Sequence, residues 1–492
     1  MVLNQGNSKN KSGEEPTFNI IKDIIRELND SSIDYREIVI KDRVKEFAEK
    51  IKCLKSERLE WAILRFIDKL NDPSDKIREH IAETLQQIVD EISNMGQKKF
   101  EFAVRRLLGR LEERNDRVYE HLATVVSSLA AKRPEVFKDK VDILFLKLSR
   151  PCKDPYNLDD LPHDEFAGFP NRCQHARTAI AEAILEVSKK YPELFDNRIS
   201  DLAKLLHDSN DEVILIALEI IENIGSRKPE TIKNITRDLV TCLRHDPIRY
   251  KAASILWNHA ENNVDILKEE IDLLFEALMD SLTDWDTAEL LIDIIHVVWK
   301  KYPKQVEEKI EKIWDKLNEY TIETIEWLAL KSSKMVLKLT PKLKENLYNK
   351  TYNEIYQELS TSAALTLLYI GIDYPQLIED TLPKITEYLT HPYEEVYENL
   401  SDNLTILIKK HPQTINKILP KLLQILPKLL TNKKYSKHHI TKIANLLKTI
   451  TTTKPETLNK ITPLLNKLNK TDNETRKIKL ILEKINNTQK QK

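Results

Sequence analysis

KKYPELFDNRISDLAKLLHDSNDEVILIALEIIENIG (residues 189–225) holds two apolar stripes of helical period around one polar break. Phe195, Ile199, Leu202 and Leu206 recur at i, i+4, i+7 and i+11, which puts them on one face of a first helix. Val213, Ile216, Ala217, Ile220, Ile221 and Ile224 obey the same rule on a second. Between them His207-Asp208-Ser209-Asn210 makes a short turn, and Ser209 with Glu212 reads as a capping box. Lys189 and Lys190 place positive charge where the preceding helix ends, as its dipole favours. Tyr191 precedes a proline and is pushed out of the helical region, and Pro192 opens the next helix.

The unit recurs. Pro134, Pro192, Pro229, Pro303, Pro375, Pro412 and Pro455 are separated by 58, 37, 74, 72, 37 and 43 residues, near multiples of one spacing. The excess in the first interval coincides with an odd insert. Basic residues precede most of these prolines, as in Lys132-Arg133-Pro134 and Lys409-Lys410-His411-Pro412. Polar turns return as LNDPSDKIREHIA (70–82), LEERNDRVYEHLA (111–123) and LRHDPIRYKAA (243–253), and Asp208, Asp246 and Asp284 stand 38 apart. A period of about 37–40 residues means stacked helix pairs. Boundaries fall near 56, 97, 134, 192, 229, 264, 303, 334, 375, 412 and 455, giving about twelve repeats.

Asp72, Ile77, Arg78 and Ala82 carry the best match to the HEAT-repeat pattern, in which a turn with Asp leads into Val/Ile-Arg-x-x-x-Ala. The chain resembles that armadillo-like family over residues 17 to 488, although Tyr119 and Ile214 replace the arginine elsewhere. The resemblance implies an all-α, right-handed α–α superhelix of about twelve helix pairs that acts as a non-enzymatic scaffold for protein partners. Residues 1–16 and 489–492 are expected to be disordered tails.

Composition narrows the function further. Only 7 glycines occur in 492 residues, none in a cluster, which disfavours phosphate-cradling loops. No Rossmann glycines, G-x-S-x-G or paired metal ligands are present, so neither catalysis nor a cofactor is expected. Cys53, Cys152, Cys173 and Cys242 form no CxxC, which reads as reduced thiols and a cytoplasmic location. MVLNQGNSKNKSGEEP (1–16) lacks an apolar core, and no stretch is long enough to span a membrane. The net charge of −1 conceals an asymmetry: 261–400 holds 28 acidic and 14 basic residues, whereas 401–492 holds 20 basic and 5 acidic.

Three places stand out as candidate surfaces for partners. The insert between the helices of the fourth repeat (150–172) offers Tyr156, Asp159, Asp160, Phe166 and Phe169. Trp285, set between Asp284 and Asp286 in a turn, is expected to be exposed, whereas Trp299 reads as core. Lys409, Lys410, Lys433, Lys434 and Lys437 form a basic end suited to an anionic partner. That end supports the alternative of a nucleic-acid-associated HEAT protein, similar to condensin accessory subunits. Cys152, His163, Cys173 and His175 lack zinc-ligand spacing. Glu79-His80 and Glu120-His121 look catalytic in isolation, but the same slot 41 residues apart is what a repeat produces.

Overall fold

The computed structural model describes residues 11–149, 172–314, 319–348, 354–431 and 435–467, except 31, 262, 282 and 283, with a few positions between 478 and 485. Every regular element among them is a helix. By packing, the chain divides into two compact units, Met1–Ile255 and Leu256–Lys492.

In unit 1 the second helices Ile33–Ile51, Asp75–Gln87, Asp116–Lys132, Arg172–Lys190 and Asp211–Arg227 pack on one another in chain order. First helices, such as Ser56–Ile67, Gln97–Arg110 and Ile199–Leu205, back them. Unit 2 repeats the plan with Trp285–Lys301, Glu319–Lys331, Glu354–Asp373, Glu394–Lys410 and Lys437–Thr453. Each pair closes its apolar faces only against neighbours, so Ile77, Ile81, Leu122, Val126, Ile180, Ile220 and Leu404 are wholly buried. The chain is a HEAT/armadillo-like α-solenoid. First helices begin at Ser56, Gln97, Pro134, Pro192, Pro229, Val264, Pro303, Ser333, Pro375, Pro412 and Pro455, within one residue of the spacing read from the sequence.

The prolines punctuate by backbone geometry. Residues before six of them hold φ between −140° and −130° and ψ between 57° and 82°. All lie outside the α region, which steric conflict with the proline ring disfavours. The proline then opens a tight 3-10 turn, not the α-turn expected; only Pro303 starts an α-helix directly. In three of these turns a threonine two residues on (Thr231, Thr414, Thr457) gives its hydroxyl to the pre-proline carbonyl at 2.7 Å. Asn263 adopts φ −151° and ψ 60° without a proline, so the repeat at 264 bends without that marker.

Neighbouring repeats are stitched by one recurring device. Asp72, Glu113 and Asp208 each stand two residues before a helix N-cap and accept the N–H of that cap residue, at 3.0, 3.2 and 3.0 Å. Each also pairs with an arginine on the second helix of the repeat before it: Arg36–Asp72, Arg78–Glu113 and Arg177–Asp208. Burial works to raise the Glu113 carboxyl; Arg78 and the N–H groups of Asn115 and Arg114 overcome it and hold the carboxyl below its usual range. Arg36, Arg78 and Tyr119 occupy the same slot, four residues past the caps Ser32, Ser74 and Asn115. Where tyrosine replaces arginine, the Tyr119 hydroxyl reaches the Lys147 carbonyl of the next repeat at 3.4 Å.

Three expectations change. The cap of the second helix in 189–225 is Asn210, which accepts Glu212 N–H; Ser209 instead receives a bond from Gln174 at 3.3 Å. The strict 38-residue spacing of Asp208, Asp246 and Asp284 does not give one role. Asp208 precedes the cap by two, Asp246 is the first helical residue, and Asp284 is itself the cap. The N-terminal helix starts at Lys11, inside the segment expected to be disordered. Glu14 accepts the Lys55 N–H at 3.0 Å and Glu15 pairs with Arg58, which ties that helix to its neighbour.

Cysteine chemistry also departs from expectation. Cys173 is disulfide-bonded, Cys53 and Cys242 are free, and Cys152 lies outside the described residues. The reading of four reduced thiols is thereby corrected; widely spaced cysteines in sequence carry no signal of an approach in space. Burial pushes the Cys242 thiol up to about 12, which leaves it unreactive, whereas Cys53 is exposed. A thiol reagent without reductant should therefore titrate one group in the native protein and two after denaturation. Four groups after denaturation would contradict the disulfide.

Candidate functional site

In unit 2, Asp284 caps the helix Trp285–Lys301 through Thr287 N–H, and this fixes Trp285 at the helix mouth. Trp285 is 57% exposed. Its ring meets Trp327 of the next second helix edge-on, with centroids 4.6 Å apart and planes at 81°. That geometry is favourable for aromatic pairs. Leu330, one helical turn beyond Trp327, is 61% exposed and extends the apolar patch. Asp286 and Glu289 are exposed on the helix that carries Trp285. Deeper along the same helix, Lys331 pairs with Asp293, and the His296 ring stacks on Trp299 with centroids 5.9 Å apart. Burial, with Lys300 and Lys331 adding to it, pushes the His296 imidazole down. Burial and the Glu326 carboxylate push Tyr369 up to about 12, so it stays neutral.

Trp285 is thus exposed as its turn position implies. Trp299 is half-buried, not core, and its Nε1 donates to Glu307 at 3.4 Å. Leu330 was not singled out by sequence reasoning, although Trp285 and Trp327 stand 42 residues apart, one repeat, and Leu330 follows Trp327 at i+3. The insert residues Tyr156, Asp159, Asp160, Phe166 and Phe169 lie outside the described residues, as do Lys433 and Lys434.

At the basic end, Lys409 and Lys437 are exposed, while Lys410 pairs with Asp373 at 3.1 Å. Lys421 pairs with Glu387, and Lys442 lies 2.5 Å from Glu398 and 2.8 Å from Asp402. Lys410, Lys421 and Lys442 thus serve carboxylates in the preceding repeat. Glu394, Glu398 and His438 bring their ligand atoms within 4.8 Å of one another, but the Lys442 ammonium already balances Glu398. The Glu-His pairs are lateral ties. Glu79 meets Arg117 at 3.0 Å, Glu120 meets Arg172 at 2.9 Å, and His121 contacts Gln86 at 3.0 Å. No helix among the described residues is long and apolar enough to cross a membrane.

Helix pairs whose second helices stack on one another in chain order define the class: an α-solenoid of the HEAT/armadillo kind. No family model and no curated protein matches the sequence. Solved structures share the fold. The crystal structure of Kap121p matches with TM-score 0.53 and 14% identity over 96% of this chain and 54% of that one. A chain of the full-length AP-3 complex homology model matches with TM-score 0.51 and 13% identity, over 94% of this chain and 82% of that one. The chain thus spans about half the length of Kap121p.

Proposed function

We propose that the protein is a non-enzymatic scaffold that docks protein partners, with Trp285, Trp327 and Leu330 as the anchor. The carrying observation is the exposed Trp285 ring, braced by its cap and by the half-buried Trp327. Rigid exposed aromatics supply much area for little lost entropy, which is why they dominate docking energetics. The acidic flank of Asp286 and Glu289, in a segment with twice as many acidic as basic residues, favours a partner segment rich in lysine or arginine. The fold likeness to Kap121p and AP-3 fits this reading, and a cytoplasmic location belongs to it.

The test is capture from a native lysate with the intact chain beside Trp285→Ala and Leu330→Asp variants of unchanged helix content. Proteins held by the parent and lost by both variants support the reading. Identical retained sets would remove the anchor from it.

Solution pH should matter to unit 2 for a separate reason. His259 is buried, its Nδ1 has no hydrogen-bond partner among the described residues, and burial pushes its pKa down. The unfolded chain then binds the proton more readily. Stability is full above the ordinary value of about 6.5 and falls as pH drops below it. His259→Gln should flatten the change in urea midpoint between about pH 7 and 5.5. An unaltered slope would show that another group is responsible.

A further inference from the structure

Unit 1 carries a groove that the docking reading does not use. It runs between the 3-10 turn Asp68–Asn71 and the C-terminal half of the helix Gln97–Arg110. Asp68, Asn71, Arg105, Arg106, Gly109 and Arg110 line a volume of ≈ 470 Å³. Three guanidiniums thus share the lining with one carboxylate. Arg106 pairs with Asp68, which Arg65 also approaches at 3.7 Å. The Arg106 guanidinium lies 4.3 Å from the centroid of the Phe102 ring, which sets its plane. Arg105 and Arg110 are exposed; the Asp139 carboxylate acts on Arg105 from beyond ion-pair distance, and among the described residues no ion pair joins either arginine to a carboxylate. A helix end favours a cation such as Arg110, but that effect fades within the last turn and does not call for Arg105 or Arg106.

Gly109 is the second observation. It stands in the same helix, four residues after Arg105 and three after Arg106, where glycine is the poorest residue after proline. A Cβ built there would meet nothing within 4 Å, so close packing does not explain the glycine. Its effect is to leave the floor of the groove open between the arginines.

We propose that this groove binds a phosphomonoester, held by Arg105 and Arg110 with Arg106 completing the cationic wall. Planar guanidinium forks match the several oxygens of a phosphate dianion, and the wall's excess charge exceeds what one carboxylate would balance. Asn71 adds a donor: its amide gives one N–H to the Asp68 carbonyl at 2.9 Å and keeps a second. A single short groove with room for one phosphate, not a track of several, distinguishes this from a nucleic-acid surface. The phosphate is carried by a serine of a protein segment or is free, and the experiment separates the two.

Fluorescence anisotropy on the intact chain, in about 150 mM salt, would compare a degenerate peptide pool centred on phosphoserine with the matching serine pool. Inorganic phosphate and a short single-stranded DNA serve as competitors. The phosphoserine pool should bind at least about tenfold more tightly than the serine pool. Arg105→Ala with Arg110→Ala should abolish that difference. Gly109→Leu should abolish it too, because it fills the groove without touching a charge. Lys98→Ala with Lys99→Ala on the same helix, and Trp285→Ala in unit 2, should leave it intact, with helix content of every variant checked by circular dichroism. Phosphorus-31 line broadening of inorganic phosphate that disappears in the arginine variant, with no preference between pools, would assign the free ion as ligand. Equal binding of the pools with no phosphate broadening overturns the proposal. So does a phosphoserine preference that survives Gly109→Leu, or displacement by DNA that the lysine variant weakens equally.

Discussion

Asp72→Ala is expected to cost unit 1 about 3–5 kcal/mol, the range for removing one partner of a buried ion pair. The Arg36 and Asp72 side chains are only 9% and 4% exposed. Without the carboxylate, the Arg36 guanidinium keeps its charge in a site that water barely reaches, and its Nε already lacks an acceptor among the described residues. The same change removes the bond from Ser74 N–H to Asp72 Oδ1, loosening the turn that starts the helix Asp75–Gln87. Asp72→Asn keeps an oxygen for Ser74 but no charge for Arg36, so it should fall between the parent and the alanine variant. Arg36→Met with Asp72→Leu should recover most of the loss, since an apolar pair needs no desolvation. Urea midpoints read all three. A cost under about 1 kcal/mol for Asp72→Ala would put this pair in the range of exposed pairs, and the stitching of repeats would rest on apolar contact alone.

That device marks the limit of what the sequence discloses. Asp72 and Arg78 were legible as a repeat signature, yet they do not pair with each other through their side chains. Asp72 binds Arg36 behind it, Arg78 binds Glu113 ahead, and within the repeat Arg78 reaches the Asp72 and Pro73 carbonyls, at 2.7 and 3.1 Å, and pairs with Asp75. A periodic pattern shows which slots recur, whereas the register of one layer on the next depends on turn lengths. Turn length is also why three aspartates at one spacing took three roles. Repeat boundaries were legible because proline acts on its own backbone, a local effect that survives any tertiary context. Trp285 could be placed from its turn, but the patch depends on which tryptophan the next helix brings alongside. The arginine groove gave no pattern at all, since Asp68 and Arg106 are 38 residues apart and meet only through stacking.

Glycine makes the same point with opposite signs. Gly371→Ala is expected to destabilise unit 2 by about 1–3 kcal/mol, the usual cost of overfilling a packed site. A Cβ at 371 would overlap Ile378, coming within 2.6 Å of its Cγ1 and closer still to Cδ1. Ile378 is wholly buried just past the turn Pro375–Leu377, so its side chain has no open direction in which to move. The helix Glu354–Asp373 would have to lift away from that turn, against a gain of only about 0.4–1 kcal/mol from reduced freedom of the unfolded chain. Gly109→Ala meets no atom and should keep that gain whole, raising the stability of unit 1 by about 0.4–1 kcal/mol. One substitution, made in two helices of one repeat type, should therefore move thermal midpoints in opposite directions. If both rise, Ile378 yields more readily than a wholly buried side chain should, and the close approach of helix and turn at Gly371 is not a fixed feature of the stack.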